Sequence, residues 1–136
     1  MMKKLILVFI ILAGSISYGQ NEQLADKVQE FIKNHFPNET IIHTKVDPND
    51  FDDRYEVYLS GKHELEFDAD GNITEIESSQ GIPKSALPEE IVTYVKANYP
   101  NVNIVEWEKE AYGQEIELSN GLELKFNFKN EFIGYD

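Results

Sequence analysis

The 136-residue chain contains no cysteine. That absence removes disulfides, thiolate metal sites, cysteine nucleophiles and lipid attachment at a cysteine. Cations are scarce as well: 12 Lys+Arg stand against 25 Asp+Glu, a formal net charge of −13. So acidic a surface repels phosphate backbones and anionic lipid, which disfavours nucleic-acid and membrane-surface roles and favours cationic partners. Long apolar runs are missing except at 5–13 (LILVFIILA), whose nine residues fall far short of the roughly 20 that span a bilayer as a helix. Neither a nucleophile elbow nor a glycine-rich phosphate loop occurs. The three histidines, His35, His43 and His63, match no zinc-ligand spacing and read as solvated or half-buried side chains. The chain is therefore expected to be no enzyme and to need no cofactor.

What is present begins with a secretion signal over 1–19. Lys3 and Lys4 precede the apolar run, and Ser17 and Gly19 put small residues before a cut at Gln20. Residues 20–136 are expected to form a single domain, periplasmic or secreted, with no membrane insertion after cleavage. Without Lys3 and Lys4, 10 Lys+Arg face 25 Asp+Glu and the net charge becomes −15. A domain of this length buries a useful core without covalent staples.

The chain also says nearly the same thing twice. NHFPNETII (34–42) returns as ANYPNVNIV (97–105), 63 positions later. Leu24, Val28, Phe31, Ile32 and Phe36 share their offsets with Leu87, Ile91, Tyr94, Val95 and Tyr99, and those offsets mark one face of an α-helix. Pro88 is placed in the first turn of the second helix, followed by Glu89 and Glu90. Lys33 and Lys96 lie near the helix ends, where Pro37 and Pro100 halt them.

Beyond each proline the period falls to two. Strands are predicted at 41–46, 55–60, 63–67 and 73–77, and again at 104–108, 114–119, 122–128 and 132–135. EVYLSGKHELEF (56–67) and EIELSNGLELKF (115–126) agree at six of twelve positions. Each copy thus reads as a helix followed by an antiparallel meander. The spacing drops from 63 to 59 because copy one has four extra residues between its first two strands. A unit of about 50 residues buries little on its own, so the two are expected to complete each other. The expected fold is α+β: one antiparallel sheet from two tandem helix-plus-meander repeats (21–77 and 87–136, connector 78–86), both helices on one face.

The pattern LPEEIVTYVKANYPNVNIVEWEKE…EIELSNGLELKF resembles the PepSY-like, β-lactamase-inhibitor-like domains of secreted bacterial proteins. The matching positions are Leu87, Pro88, Ile91, Tyr99, Pro100, Leu118, Asn120, Gly121, Glu123, Leu124 and Phe126. In copy one they are Leu24, Val28, Phe36, Pro37, Leu59, Gly61, Glu64, Leu65, Phe67 and Gly71, with Ala25 where the family-like proline is missing. The resemblance implies an extracytoplasmic binding or inhibitor-like module. It implies no β-lactamase inhibition, because the matching residues are structural.

Two candidate sites follow from the residues. Strand alternation sends Val57, Leu59, Leu65, Phe67, Ile116, Leu118, Leu124 and Phe126 toward the helices. The opposite face then displays Glu56, Tyr58, Glu64, Glu66, Glu115, Glu117, Glu123 and Lys125. Crowded like charges on neighbouring strands are unfavourable, so this face is a candidate platform for a protein or other cationic ligand. The alternative is calcium binding by Asp47, Asp50, Asp52 and Asp53 in the acidic loop DPNDFDD, against a plain reading as Asx-turns. FDADGNITEIE (67–77) fails the EF-hand register and reads as a turn in which Gly71 takes positive φ, with Asn130 at the same place in copy two. Trp107, Tyr112 and Phe51 are candidates for an aromatic rim, although Trp107 shares the parity of Val105 and is expected to be buried.

Overall fold

Two ten-residue helices, α1 (Asp26–His35) and α2 (Glu89–Asn98), form where the apolar side chains recur at helical spacing. The computed structural model describes residues 24–136, so the expected signal segment 1–19 lies outside the described residues. Pro88 stands just before α2 as its cap, with φ −56° and ψ 134°, rather than inside the first turn. Its ring fixes φ without requiring helical ψ, which suits an entry position. Each helix closes alike: Phe36 N–H donates to the Ile32 carbonyl (2.8 Å) and Tyr99 N–H to that of Val95 (2.7 Å), ahead of Pro37 and Pro100.

Four strands follow each helix: β1 (Ile41–Val46), β2 (Tyr55–Leu59), β3 (His63–Phe67) and β4 (Ile73–Ser78), then β5 (Ile104–Glu110), β6 (Gly113–Leu118), β7 (Glu123–Asn127) and β8 (Phe132–Tyr135). They make one eight-stranded antiparallel sheet whose spatial order is the chain order, β1 to β8. The fold class is therefore α+β. A short 3-10 turn, Lys84–Ala86, interrupts the connector, a feature without helical periodicity in the sequence. The halves meet where β4 pairs β5 through Glu75↔Glu108, Ile76↔Trp107 and Glu77↔Glu106.

One sheet face and the two helices share a core. Val57, Leu59, Leu65, Phe67, Ile76, Ile116, Leu118, Leu124 and Phe126 are buried together with Val28, Ile32, Ile91 and Val95. Each such side chain contributes about 1.5–3 kcal/mol through removal from water. The helices dock through equivalent aromatic contacts. Phe31 meets Phe67 edge-on at 5.5 Å between centroids, and Tyr94 meets Phe126 in the same way at 5.5 Å. Tyr94 also stacks on Phe132 at 4.9 Å.

The turns recur too. Gly71 (φ 81°) and Asn130 (φ 62°) both adopt positive φ, as the paired turns predict. Asp68 Oδ1 accepts the Asp70 and Asn72 N–H groups, and Asn127 Oδ1 accepts those of Lys129 and Glu131. An Asx side chain ties down each β-turn.

His63 corrects the expectation for the histidines. It points inward with Leu65 and Phe67 and is buried; its Nδ1 lies 2.7 Å from Ser78 Oγ and its ring 4.9 Å from that of Phe36. A polar ring tolerates that position because Ser78 and, at 3.7 Å, Glu39 face its two nitrogens.

Candidate functional site

Register places glutamates opposite glutamates across the outer face of the sheet. One row runs His43, Tyr58, Glu64, Glu77, Glu106, Glu117, Glu123 from β1 to β7. The next runs Lys45, Glu56, Glu66, Glu75, Glu108, Glu115, Lys125 over the same strands. All seven candidate residues, Glu56, Tyr58, Glu64, Glu66, Glu115, Glu117 and Glu123, share this face. Four glutamates join them that the strand reading did not include: Glu75 and Glu77 on β4, Glu106 and Glu108 on β5. They were legible as alternation in TEIE and EWEKE, but only the β4–β5 pairing shows that they complete both rows.

The face is not a freely solvated brush. Glu75 and Glu115 are buried, and the other glutamates of the two rows are partly so. The six glutamates expected to be displayed are thus a crowded set, because adjacent strands bring carboxyls within reach of one another and shed water between them. Burial, then the charges of Glu64 and Glu75, push Glu77 up to about 7. Burial, then the charges of Glu77 and Glu75, push Glu106 up to about 9. Burial also lifts Glu115, to about 7, partly offset by the Tyr112 hydroxyl, which donates to its Oε2 at 2.9 Å. Burial and the charges of Glu64 and Glu56 drive the Tyr58 hydroxyl upward. These are the signs expected where carboxylates crowd in a partly dry setting.

The row through Glu56 and Glu115 ends in a lysine on each side. Lys45 Nζ lies 4.0 Å from Glu56 Oε2 on one side, and Lys125 Nζ lies 3.2 Å from Asp136 Oδ1 on the other. Among the described residues, two carboxylate groups converge with ligand atoms within 4.8 Å of one another: Glu75, Glu77 and Glu106, and Glu115, Glu123 and Asp136.

The acidic loop is arranged differently. Asp47 Oδ1 accepts the Asn49 N–H at 3.0 Å, and Asp50 Oδ1 accepts those of Asp52 and Asp53, each at 3.0 Å. Asp53 Oδ1 faces Thr74 Oγ1 at 3.3 Å. Asp47 and Asp50 thus spend a carboxylate oxygen on Asx-turns within the loop, and Asp53 spends one on Thr74 of β4. The aromatic rim does not assemble as one surface: Trp107 packs on the core with Nε1 donating to Gln114 (2.9 Å), Tyr112 leans on Glu115, and Phe51 is exposed with the Arg54 guanidinium 5.4 Å from its ring. On the helix side, an open hollow of about 760 Å³ is lined by Lys84, Leu87, Glu89, Val92 and Lys96 among others, and by none of the glutamates of the two rows.

Residues 53–134 match the family described as "Putative beta-lactamase-inhibitor-like, PepSY-like". No curated protein matches the chain. Among solved structures, a "putative calcium-regulated periplasmic protein" from Bacteroides thetaiotaomicron is 32% identical, with a TM-score of 0.79 over 86% of this chain and 93% of that one. A "putative periplasmic protein" from Bacteroides vulgatus is 34% identical, with a TM-score of 0.77 and the same coverages of 86% and 93%. A "putative periplasmic protein of unknown function", also from Bacteroides vulgatus, shares 31% identity and a TM-score of 0.76, covering 85% of this chain and 93% of that one. Among the described residues no helix is long and apolar enough to cross a membrane. The match over 53–134, and relatives of nearly full coverage at over 30% identity, carry one conclusion: the chain belongs to the PepSY-like, β-lactamase-inhibitor-like family.

Proposed function

We propose that this chain is an extracytoplasmic binding module without chemistry of its own, built as two tandem helix-plus-meander repeats (21–77 and 87–136, joined by 78–86) whose outer face takes a cationic partner. The periplasmic relatives support the compartment, as does the secretion-type segment at 1–19. One observation carries the choice of surface: ten glutamates in two adjacent rows, with Lys45 and Lys125 only at the two ends of one of them. Like charges held opposite one another oppose folding, and a cationic partner turns that penalty into binding energy. A basic protein surface suits the breadth of the rows. Reversing Glu64, Glu66, Glu115 and Glu117 to lysine is expected to abolish capture of envelope partners by a variant that keeps its circular dichroism. Unchanged partners would exclude the face.

A second reading is favoured by the converging carboxylates and by a relative that is named calcium-regulated. Calcium takes six to eight oxygens, and three crowded carboxylates supply a start. Glu75, Glu77 and Glu106 suit it better than Asp47, Asp50, Asp52 and Asp53, three of which are engaged within or beside their loop. Calorimetric titration decides it: heat lost in Glu75→Gln and Glu77→Gln but kept when Asp50 and Asp52 become asparagine assigns the ion to the sheet. The opposite pattern assigns it to the loop, and no heat at millimolar calcium ends this reading.

A further inference from the structure

A narrower cleft of about 210 Å³ adjoins the open hollow on the helix side, and Lys84, Leu87, Val92 and Lys96 stand in the walls of both. The rest of the cleft is largely apolar: Ile82, Val95 and Ile104 are buried, and Tyr99 and Val102 half-buried. Local structure explains why it exists. Ile82 N–H donates to the Ile104 carbonyl at 2.8 Å, which pins the connector to the start of β5, and the 3-10 turn that follows bears Lys84. Val92, Val95, Lys96 and Tyr99 recur at helical spacing along one flank of α2 and its cap, and that flank forms the facing wall. We propose that cleft and hollow bind a free, single-chain amphipathic carboxylate, its tail among Ile82, Val95, Val102 and Ile104 and its head group on Lys84 and Lys96. The site lies on the helix side of the sheet, not on the face of the glutamate rows, and is independent of what they bind.

Charge selects the occupant. Beyond Lys3 and Lys4, ten cationic residues stand against 25 acidic ones, yet two of the ten line this hollow. Among the described residues neither Lys84 nor Lys96 makes an ion pair. One acid, Glu89, lines the outer hollow, and none lines the cleft. An anionic head group is therefore favoured here and a cationic one is not. Exposed ammonium groups alone hold an anion weakly, because water and salt screen them, so burial of a tail has to supply most of the affinity. The outer hollow has the volume of a small-molecule site, whereas the cleft falls below the roughly 300 Å³ at which such sites begin. A slim unbranched tail suits it better than a ring system. A bilayer bearing the same head groups is repelled by the strongly acidic chain, which is why the ligand is taken as a free molecule.

Octanoate is the probe, titrated calorimetrically into the protein beside octanol, which has the tail without the charge, and acetate, which has the charge without the tail. Octanoate is expected to bind at least tenfold more tightly than octanol, and acetate to give no heat. Lys84→Ala/Lys96→Ala is expected to lose that tenfold advantage while octanol binding stays unchanged. Val102→Trp, which fills the cleft, is expected to weaken both. Should that variant not fold, methyl resonances of Ile82, Val95 and Val102 in the wild type are expected to shift on adding octanoate. Vesicles of phosphatidylglycerol are expected not to retain the protein. No heat with octanoate at millimolar concentration, octanol bound as tightly, a double lysine variant matching wild type, or methyl shifts confined to other residues would each overturn the proposal. Retention on the vesicles that is lost in the double lysine variant would overturn it in favour of a membrane lipid.

Discussion

Glu77 lies directly opposite Glu106 where the two halves of the sheet meet, and each is held well above the ordinary carboxylate range. The relationship has a definite sign for stability. The folded protein keeps protons on these groups that the unfolded chain releases near the ordinary value of about 4.5. Their contribution is thus fully present below that value and lost as pH rises through about 7 and then about 9. Urea midpoints for the wild type should fall between pH 6 and pH 9 more steeply than those of Glu106→Gln. At the upper end that variant is expected to be the more stable by about 1 kcal/mol, the scale of relieved like-charge pairing. Parallel pH profiles would contradict this.

The two aromatic docking contacts should be worth similar amounts. Phe67 and Phe126 are each fully buried beneath a helix aromatic at 5.5 Å. Replacing either by alanine is expected to cost about 3–5 kcal/mol in chemical denaturation. A loss below 1 kcal/mol at one site would mean that its helix packs by other contacts.

Two glycines separate conformation from space. An added Cβ at Gly113 (φ 146°) would stand 2.3 Å from the Phe126 carbonyl oxygen on β7, whereas at Gly121 (φ 90°) it would meet nothing within 4 Å. Gly121→Ala should cost about 1–2 kcal/mol from backbone strain alone. Gly113→Ala should cost clearly more, since β6 and β7 must part to admit it. Equal thermal midpoints for the two variants would refute the steric part.

Ser78 is expected to matter beyond its size. Its hydroxyl lies 2.7 Å from His63 Nδ1 and donates to the Gly81 carbonyl at 2.9 Å. Ser78→Ala leaves the buried His63 Nδ1 and the partly buried Gly81 carbonyl wanting and should cost about 1–3 kcal/mol, measured by urea denaturation. Ser119→Ala, on an exposed residue whose hydroxyl accepts the Asn103 N–H, should cost less.

Much of this architecture was legible because it depends on local spacing. Val28, Ile32, Ile91 and Val95 announce a helix face, and Val57, Leu65, Ile116 and Leu124 a strand face, without reference to the rest of the chain. Gly71 and Asn130 declared their turns through residue type. Glu75, Glu77, Glu106 and Glu108 were different: their alternation was visible, but their place depends on β4 lying beside β5, a long-range choice that no local pattern encodes. Bulges add to the difficulty. The irregularity between Ile41 and His43 leaves Ile42 exposed, and that between Ile104 and Glu106 buries Ile104 while Val105 stays partly open. His63 could have been found by its parity with Leu65 and Phe67, had chemistry not argued against burying it. The titration of the face lay beyond reach, since it arises from side chains that neighbour each other only once the strands are laid in order.

A sheet whose strands follow chain order has two free borders, and both are poor templates. β1 is kinked by its bulge at Ile42, and β8 spans four residues with Gly134 at φ 152° and an irregular register against β7. A straight neighbouring strand from another molecule finds no long, regular row of donors and acceptors there. The protein can therefore keep a wide open sheet in a crowded compartment without being recruited, strand by strand, into fibrous assemblies of its own kind.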